Sequence, residues 1–265
     1  MRALSARGPP RLRPAHTFFL AAPQDLANAG QVLRSWPMLQ LYIANKNYSS
    51  WSLRPWVLMR ELGIAFKETL VPFGSTDNYQ AFRDFSPTGK VPCLHDGQEV
   101  VWDSLAIAEY LAERHPGVWP KDSAARVFAR CAAAEMHSAF AALRSSCSMN
   151  CGLRVALRDS GDALAKDVAR INELWNQGLT RFGGPFLAGA SFTAVDAFFA
   201  PVAFRAQSYG LALEGPAAAY AARLLALPSM QAWYADALAE PWREVAHEAE
   251  VAASGDIVAD LRKPV

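Results

Sequence analysis

Residues 39–63 read LQLYIANKNYSSWSLRPWVLMRELG, and this stretch decides the fold. Leu39–Ala44 is short and β-friendly, while Trp51–Leu62 carries apolar residues at helical spacing. Pro55 falls in the first turn of that helix, where its missing N–H costs nothing. Gly63 closes the helix. A strand that runs through a hydroxyl-rich loop into a helix is the opening of an α/β unit.

The residues that follow extend that unit. Phe66–Val71 reads as a second strand and Tyr79–Phe85 as a short helix. Val91–His95 and Glu99–Trp102 are brief strands joined by Asp96-Gly97, a type I′ hairpin signal. Ser104–His115 is a third helix. Residues 38–116 therefore form one α/β domain that ends in an antiparallel hairpin. Beyond the Pro116–Lys121 linker the strand signals stop, and Ala-rich helical stretches follow at 123–146, 162–182, 193–210, 216–227 and 228–239. Leu164, Val168, Ile171, Trp175, Leu179 and Phe182 step by three or four residues, which gives one apolar face. Thr193 with Asp196 makes a capping box. Residues 122–245 read as an all-α bundle and 246–265 as a C-terminal tail.

The chain has 265 residues, of which 52% are hydrophobic and 19% charged, so it can bury a sizeable core. Residues 1–37 carry five arginines against Asp25 alone, a charge of +4, which leaves −3 for the rest of a chain whose total is +1. This Pro-rich leader lacks periodicity. It reads as a disordered extension, an organelle transit peptide, or sequence upstream of a translation start at Met38. The near-neutral total argues against a general nucleic-acid binder. No run approaches 18 apolar residues, so no membrane span is expected. Cys93, Cys131, Cys147 and Cys151 form no CxxC pair, which fits a reduced, cytoplasmic protein. No metal motif is present, since His247-Glu248 lacks a second histidine.

Three local features carry chemistry. In Tyr48-Ser49-Ser50-Trp51-Ser52-Leu53-Arg54, a hydroxyl at the helix start either caps free amides or helps them hold an anion, and Arg54 adds positive charge. In Ser86-Pro87-Thr88-Gly89-Lys90-Val91-Pro92-Cys93-Leu94, a cis Val91–Pro92 bond would present the Val91 N–H and C=O to an extended peptide. In Trp102-Asp103-Ser104-Leu105-Ala106-Ile107, a strand runs directly into a helix. Its amides suit a carboxylate and Asp103 suits an ammonium, with plain N-capping as the structural alternative. A cleft is expected between the two domains.

These motifs, in this order, resemble the glutathione transferase superfamily from Leu39 to about Val245. The resemblance implies a thioredoxin-like N-terminal domain that binds glutathione as co-substrate through Lys90, Val91, Pro92, Asp103 and Ser104. It also implies a helical domain for a small electrophile, and a homodimer. The Ser49–Arg54 run is most similar to the Ser-Ser-Cys-Ser-x-Arg run of the zeta class, the maleylacetoacetate isomerases, with Trp51 in place of the cysteine. Ser49 and Arg54 then match catalytic positions, with Ser50, Ser52 or Tyr48 as alternatives for the group that meets the thiol. His137, Phe140, Arg144, Met149, Asn150 and Arg154 are candidates for the second-substrate pocket, followed by Arg205 and Tyr209. Three functions follow from the resemblance: conjugation of the thiolate to electrophiles, glutathione-dependent cis–trans isomerisation, and a non-catalytic binding module on the same fold.

Overall fold

The computed structural model describes residues 38–74, 78–159 and 161–264, so the reading of residues 1–37 lies outside it. The chain opens with β1 (Leu39–Ile43), α1 (Ser50–Glu61), β2 (Phe66–Leu70) and α2 (Asn78–Arg83). β3 (Cys93–Asp96), β4 (Glu99–Trp102) and α3 (Ser104–Ala112) complete the first domain. The sheet order is β2-β1-β3-β4, with β1 parallel to β2 and the other two pairs antiparallel. Leu41 and Ile43 lie on one face of β1 by the two-residue pleat and are fully buried. They pack with Leu53, Val57 and Met59 of α1 in the core.

The second domain contains α4 (Ser123–Ser138), α5 (Ala141–Ser146), β5 (Leu153–Leu157), α6 (Gly161–Phe182), α7 (Ala194–Tyr209), α8 (Pro216–Leu225), α9 (Pro228–Ala239), α10 (Val245–Ser254) and β6 (Gly255–Asp260). α7 is apolar on nearly all sides, and Phe198, Phe199 and Phe204 are fully buried, as befits a helix surrounded by others. It packs against α1, α4, α8 and β5 and so joins the two domains. The described residues from Met38 onward form one compact unit.

Three sequence expectations are corrected here. The helix expected over 123–146 is two helices, because Phe140 takes a left-handed conformation (φ 60°) and buries its ring. The Leu143 N–H then donates to Asp167 Oδ2 at 2.9 Å, which caps the new helix start from α6. The second domain is also not purely helical: β5 and β6 pair as an antiparallel ribbon with an irregular register at Arg154/Val155. Finally, the expected tail from 246 is ordered as α10 and β6, with Val251 fully buried.

Candidate functional site

The turn between β1 and α1 is built from buried polar side chains: Asn45, Lys46, Asn47, Ser49, Ser50 and Ser52. Buried polar groups need partners, and these come from distant elements. The Lys46 and Asn47 N–H groups donate to the Glu240 carboxylate at 2.6 and 3.2 Å. Asn47 donates to Asn150 Oδ1 at 3.0 Å and accepts from the Gly152 N–H at 3.0 Å. Lys46 Nζ pairs with Glu68 at 2.8 Å and Asp236 at 2.7 Å, and the Trp233 indole donates to its carbonyl at 2.8 Å.

On this base sits the hydroxyl run. Ser49 is the N-cap of α1 but makes no side-chain cap bond. Its hydroxyl donates instead to Ser52 Oγ at 2.7 Å, and Ser52 also accepts from the Ala44 N–H at 3.3 Å. The first amides of α1 thus have no side-chain cap, the condition under which a helix start accepts an anion. Ser50 Oγ accepts from Arg205 Nη2 at 3.4 Å. Tyr48 donates to Glu248 Oε1 at 2.7 Å. Burial and Glu248 push the Tyr48 hydroxyl up to about 12, so it stays protonated.

Two adjacent hollows open here, of about 420 and 490 Å³, and both are lined by Trp51, Lys90 and Val91. The first brings Ser49 and Ser50 together with Arg144, Met149 and Arg205. The second brings Pro92, Asp103 and Ser104 to the other side of Trp51. Val91–Pro92 is cis. Asp103, with φ at 73°, caps α3 by accepting from the Leu105 and Ala106 N–H groups at 2.8 and 3.4 Å. The capping reading of this residue is therefore realised, and its second oxygen lies 3.4 Å from His137 Nε2.

The other expected residues stand behind these walls. Arg54 is 1% exposed, stacks on Trp51 and Phe198, and donates to Ser104 Oγ at 3.3 Å. Burial, then the positive fields of Arg144 and Arg205, hold its basicity well below the usual value. His137 packs edge-on against Trp51, and burial lowers its pKa. Phe140 is core. Asn150 holds the β1–α1 turn and donates to Glu248 at 3.1 Å. Arg154 binds the Cys151 and Leu153 carbonyls and the Tyr234 hydroxyl. Tyr209 is buried and donates to the Ser148 carbonyl at 2.7 Å.

Sequence reasoning missed the contribution of α10 and of the segment around α2. His247 and Glu250 line the first hollow, as do Phe73, Asn78 and Phe82. Periodicity carried little signal for α10, whose apolar residues are mostly small alanines and which buries Val251. Cys93 and Cys147 are pushed up to about 11 and about 12 by burial, and the buried Cys151 thiol is pushed up as well. These thiols are poor nucleophiles. Among the described residues no group of His, Cys, Asp and Glu could hold a metal ion. None of the described helices is long and apolar enough to cross a membrane.

Comparison with known proteins gives the following. Residues 48–114 match the family "Glutathione S-transferase, N-terminal domain" and residues 153–236 match "Glutathione S-transferase, C-terminal domain". A dichloromethane dehalogenase of Methylorubrum extorquens is 47% identical over 62 residues, 22% of this chain and 21% of that protein. A probable maleylacetoacetate isomerase of Caenorhabditis elegans is 33% identical over 92 residues, 34% of this chain and 42% of that protein. The chain thus aligns with less than half the length of either relative. A Burkholderia glutathione transferase homolog, solved with bound glutathione, shares the fold. Its TM-score is 0.58 and its identity 24%, over 76% of this chain and 98% of that one.

Proposed function

The chain belongs to the glutathione S-transferase superfamily, and from that premise we propose that it transfers the glutathione thiolate to small electrophiles. The tripeptide lies along Lys90–Pro92, with its charged end at Asp103 and Ser104 and its sulfur at the start of α1. The observation that carries this reading is the N-cap serine, Ser49, which leaves the amides of α1 without a side-chain cap at the floor of the cleft.

A free thiol has a pKa near 8.5, so only a few per cent is thiolate at about pH 7. Serine cannot act as the base, because its own proton is far less acidic. It acts as a donor: the Ser49 hydroxyl turns from Ser52 to the sulfur, and the α1 amides add a favourable field. Lowering the thiol pKa by about two units corresponds to roughly 2.7 kcal/mol, which one charge-assisted bond and a helix start can supply. Ser50 is the second donor, since Arg205 occupies a lone pair of its oxygen and leaves the O–H free. The thiolate then attacks the electrophilic carbon, and the leaving group departs with the bonding pair.

Retention on immobilised glutathione and turnover of 1-chloro-2,4-dinitrobenzene test the reading. Ser49→Ala should lower kcat by about 100-fold and raise the pKa of bound thiol, with Ser50→Ala losing less than about ten-fold. The reverse ranking would assign the donor role to Ser50, and no binding would leave a module that has lost the ligand. The hydroxyl run and the isomerase relative support a second reading, reversible addition to an activated double bond, which turnover of maleylacetoacetate checks. A homodimer in the cytoplasm completes the proposal, and light scattering measures the oligomeric state.

A further inference from the structure

Three guanidinium groups gather beside Ser50. Arg205, from α7, is 4% exposed and lines the first hollow. Its Nε donates to the Cys147 carbonyl at 2.8 Å and its Nη2 to Ser50, but its Nη1 is buried and has no acceptor. Arg144, from α5, lines the same hollow with its guanidinium 4.8 Å from the Trp51 ring, and it donates to the Ala139 and Met136 carbonyls. Arg54 also lies over that ring, 4.1 Å from its centroid.

Among the described residues none of the three forms an ion pair. Asp103 and Asp167 act on Arg54 and Arg144 only through their fields. Glu250 reaches the hollow from α10, but its carboxylate accepts from Ser148 Oγ at 2.7 Å. Unpaired buried cations are costly, and like charges side by side more so. The cost is visible in Arg205, which burial and then Arg144 push down to about 10. An anion entering the hollow would complete Nη1 and relieve the repulsion.

We propose that Arg144 and Arg205 form an anion subsite in the cleft, which takes a carboxylate or similar oxyanion on the electrophilic second substrate. The inference rests on the reading that glutathione places its sulfur at the start of α1, beside these groups. It makes the preferred substrate an acidic electrophile rather than a neutral apolar one.

Thioether conjugates test it, because their sulfur bears no charge and thiolate stabilisation cannot contribute. S-benzylglutathione and its 3- and 4-carboxybenzyl analogues are titrated into the full chain by calorimetry. At least one carboxylated conjugate should bind about ten-fold more tightly than S-benzylglutathione, the yield expected of a charge-assisted hydrogen bond. In Arg144→Gln, a change at a half-buried position, that preference should shrink to within about two-fold. Arg205→Lys keeps the charge but not the fork, and should lose most of the preference. Equal binding of all three conjugates by the parent protein would overturn the subsite while leaving the glutathione reading in place. A preference that survives both substitutions would overturn it too. If no conjugate binds, both readings fall together.

Discussion

Two clusters of charge beside the cleft treat positive charge in opposite ways. On the sheet side, Lys46 is buried between Glu68 and Asp236 and flanked by the Trp56 and Trp233 rings, and the backbone beside it ends on Glu240. Around Trp51 and Ser50, Arg54, Arg144 and Arg205 share aromatic rings, carbonyls and serine hydroxyls but, among the described residues, no carboxylate within ion-pair distance. A paired cation holds a loop in place, whereas an unpaired one leaves bonding capacity for a ligand. The difference separates the part of the site that is scaffold from the part that selects.

The contrast can be broken in four places. Glu240→Ala strips the acceptor from two buried N–H groups and should cost about 4 kcal/mol in urea unfolding. A loss below about 1 kcal/mol would mean the turn is held by packing instead.

Asp196 supplies the mirror case, a buried carboxylate with no cation partner among the described residues, satisfied by the Leu187 and Thr193 N–H groups and the Thr193 and Tyr220 hydroxyls. Burial raises it from 3.8 to about 6. The folded chain therefore holds this proton more tightly than the unfolded one. Its contribution is fully present below about pH 4 and is lost as pH rises through about 6, by about 3 kcal/mol relative to Asp196→Asn. A flat difference between the two proteins from pH 4 to 7 would refute this.

Lys46→Met should cost about 2 kcal/mol, tempered by the exposure of Asp236. Arg54→Met should change stability by less than about 1 kcal/mol, because the lost stacking is offset by removing an unpaired buried charge. Equal losses for these last two would erase the distinction between the clusters.

The first domain was legible because each element had a local signal. Gly63 followed the end of a helix and the β4 boundaries at Glu99 and Trp102 fell where expected, while the hairpin turns on Gly97-Gln98, with Gly97 alone of the pair at positive φ, rather than on a type I′ Asp96-Gly97 pair. The Thr193–Asp196 box likewise marked the start of α7. β5 does alternate, with Leu153 and Val155 buried around Arg154, but five residues beside a polar stretch make a faint pattern. Its partner β6 leaves Ile257 and Val258 exposed, so the pairing rests on backbone bonds that composition does not record. Around the hollows, Ser49, Asp103 and Ser104 lie at helix starts, a placement that local sequence signals carry. The opposite wall depends on which face of a buried helix meets the cleft. Arg205 and Arg154 look alike in sequence, yet only Arg205 lines the first hollow, while Arg154 binds carbonyls beside the β5–β6 ribbon.

The ordered C-terminus also sets a sequence of events during synthesis. Glu248 gathers Tyr48, Asn150 and Arg262, and the Leu261 N–H bonds the Gly152 carbonyl. Arg262 follows Tyr48 by 214 residues, so it leaves the ribosome well after the turn that it braces. The α/β domain precedes the helices in the chain, so it can fold while its β1–α1 turn still lacks Glu240, Glu248 and Arg262. The β1–α1 turn therefore emerges long before the residues that complete its hydrogen bonds, and its final geometry waits on partners about 200 positions further along the chain.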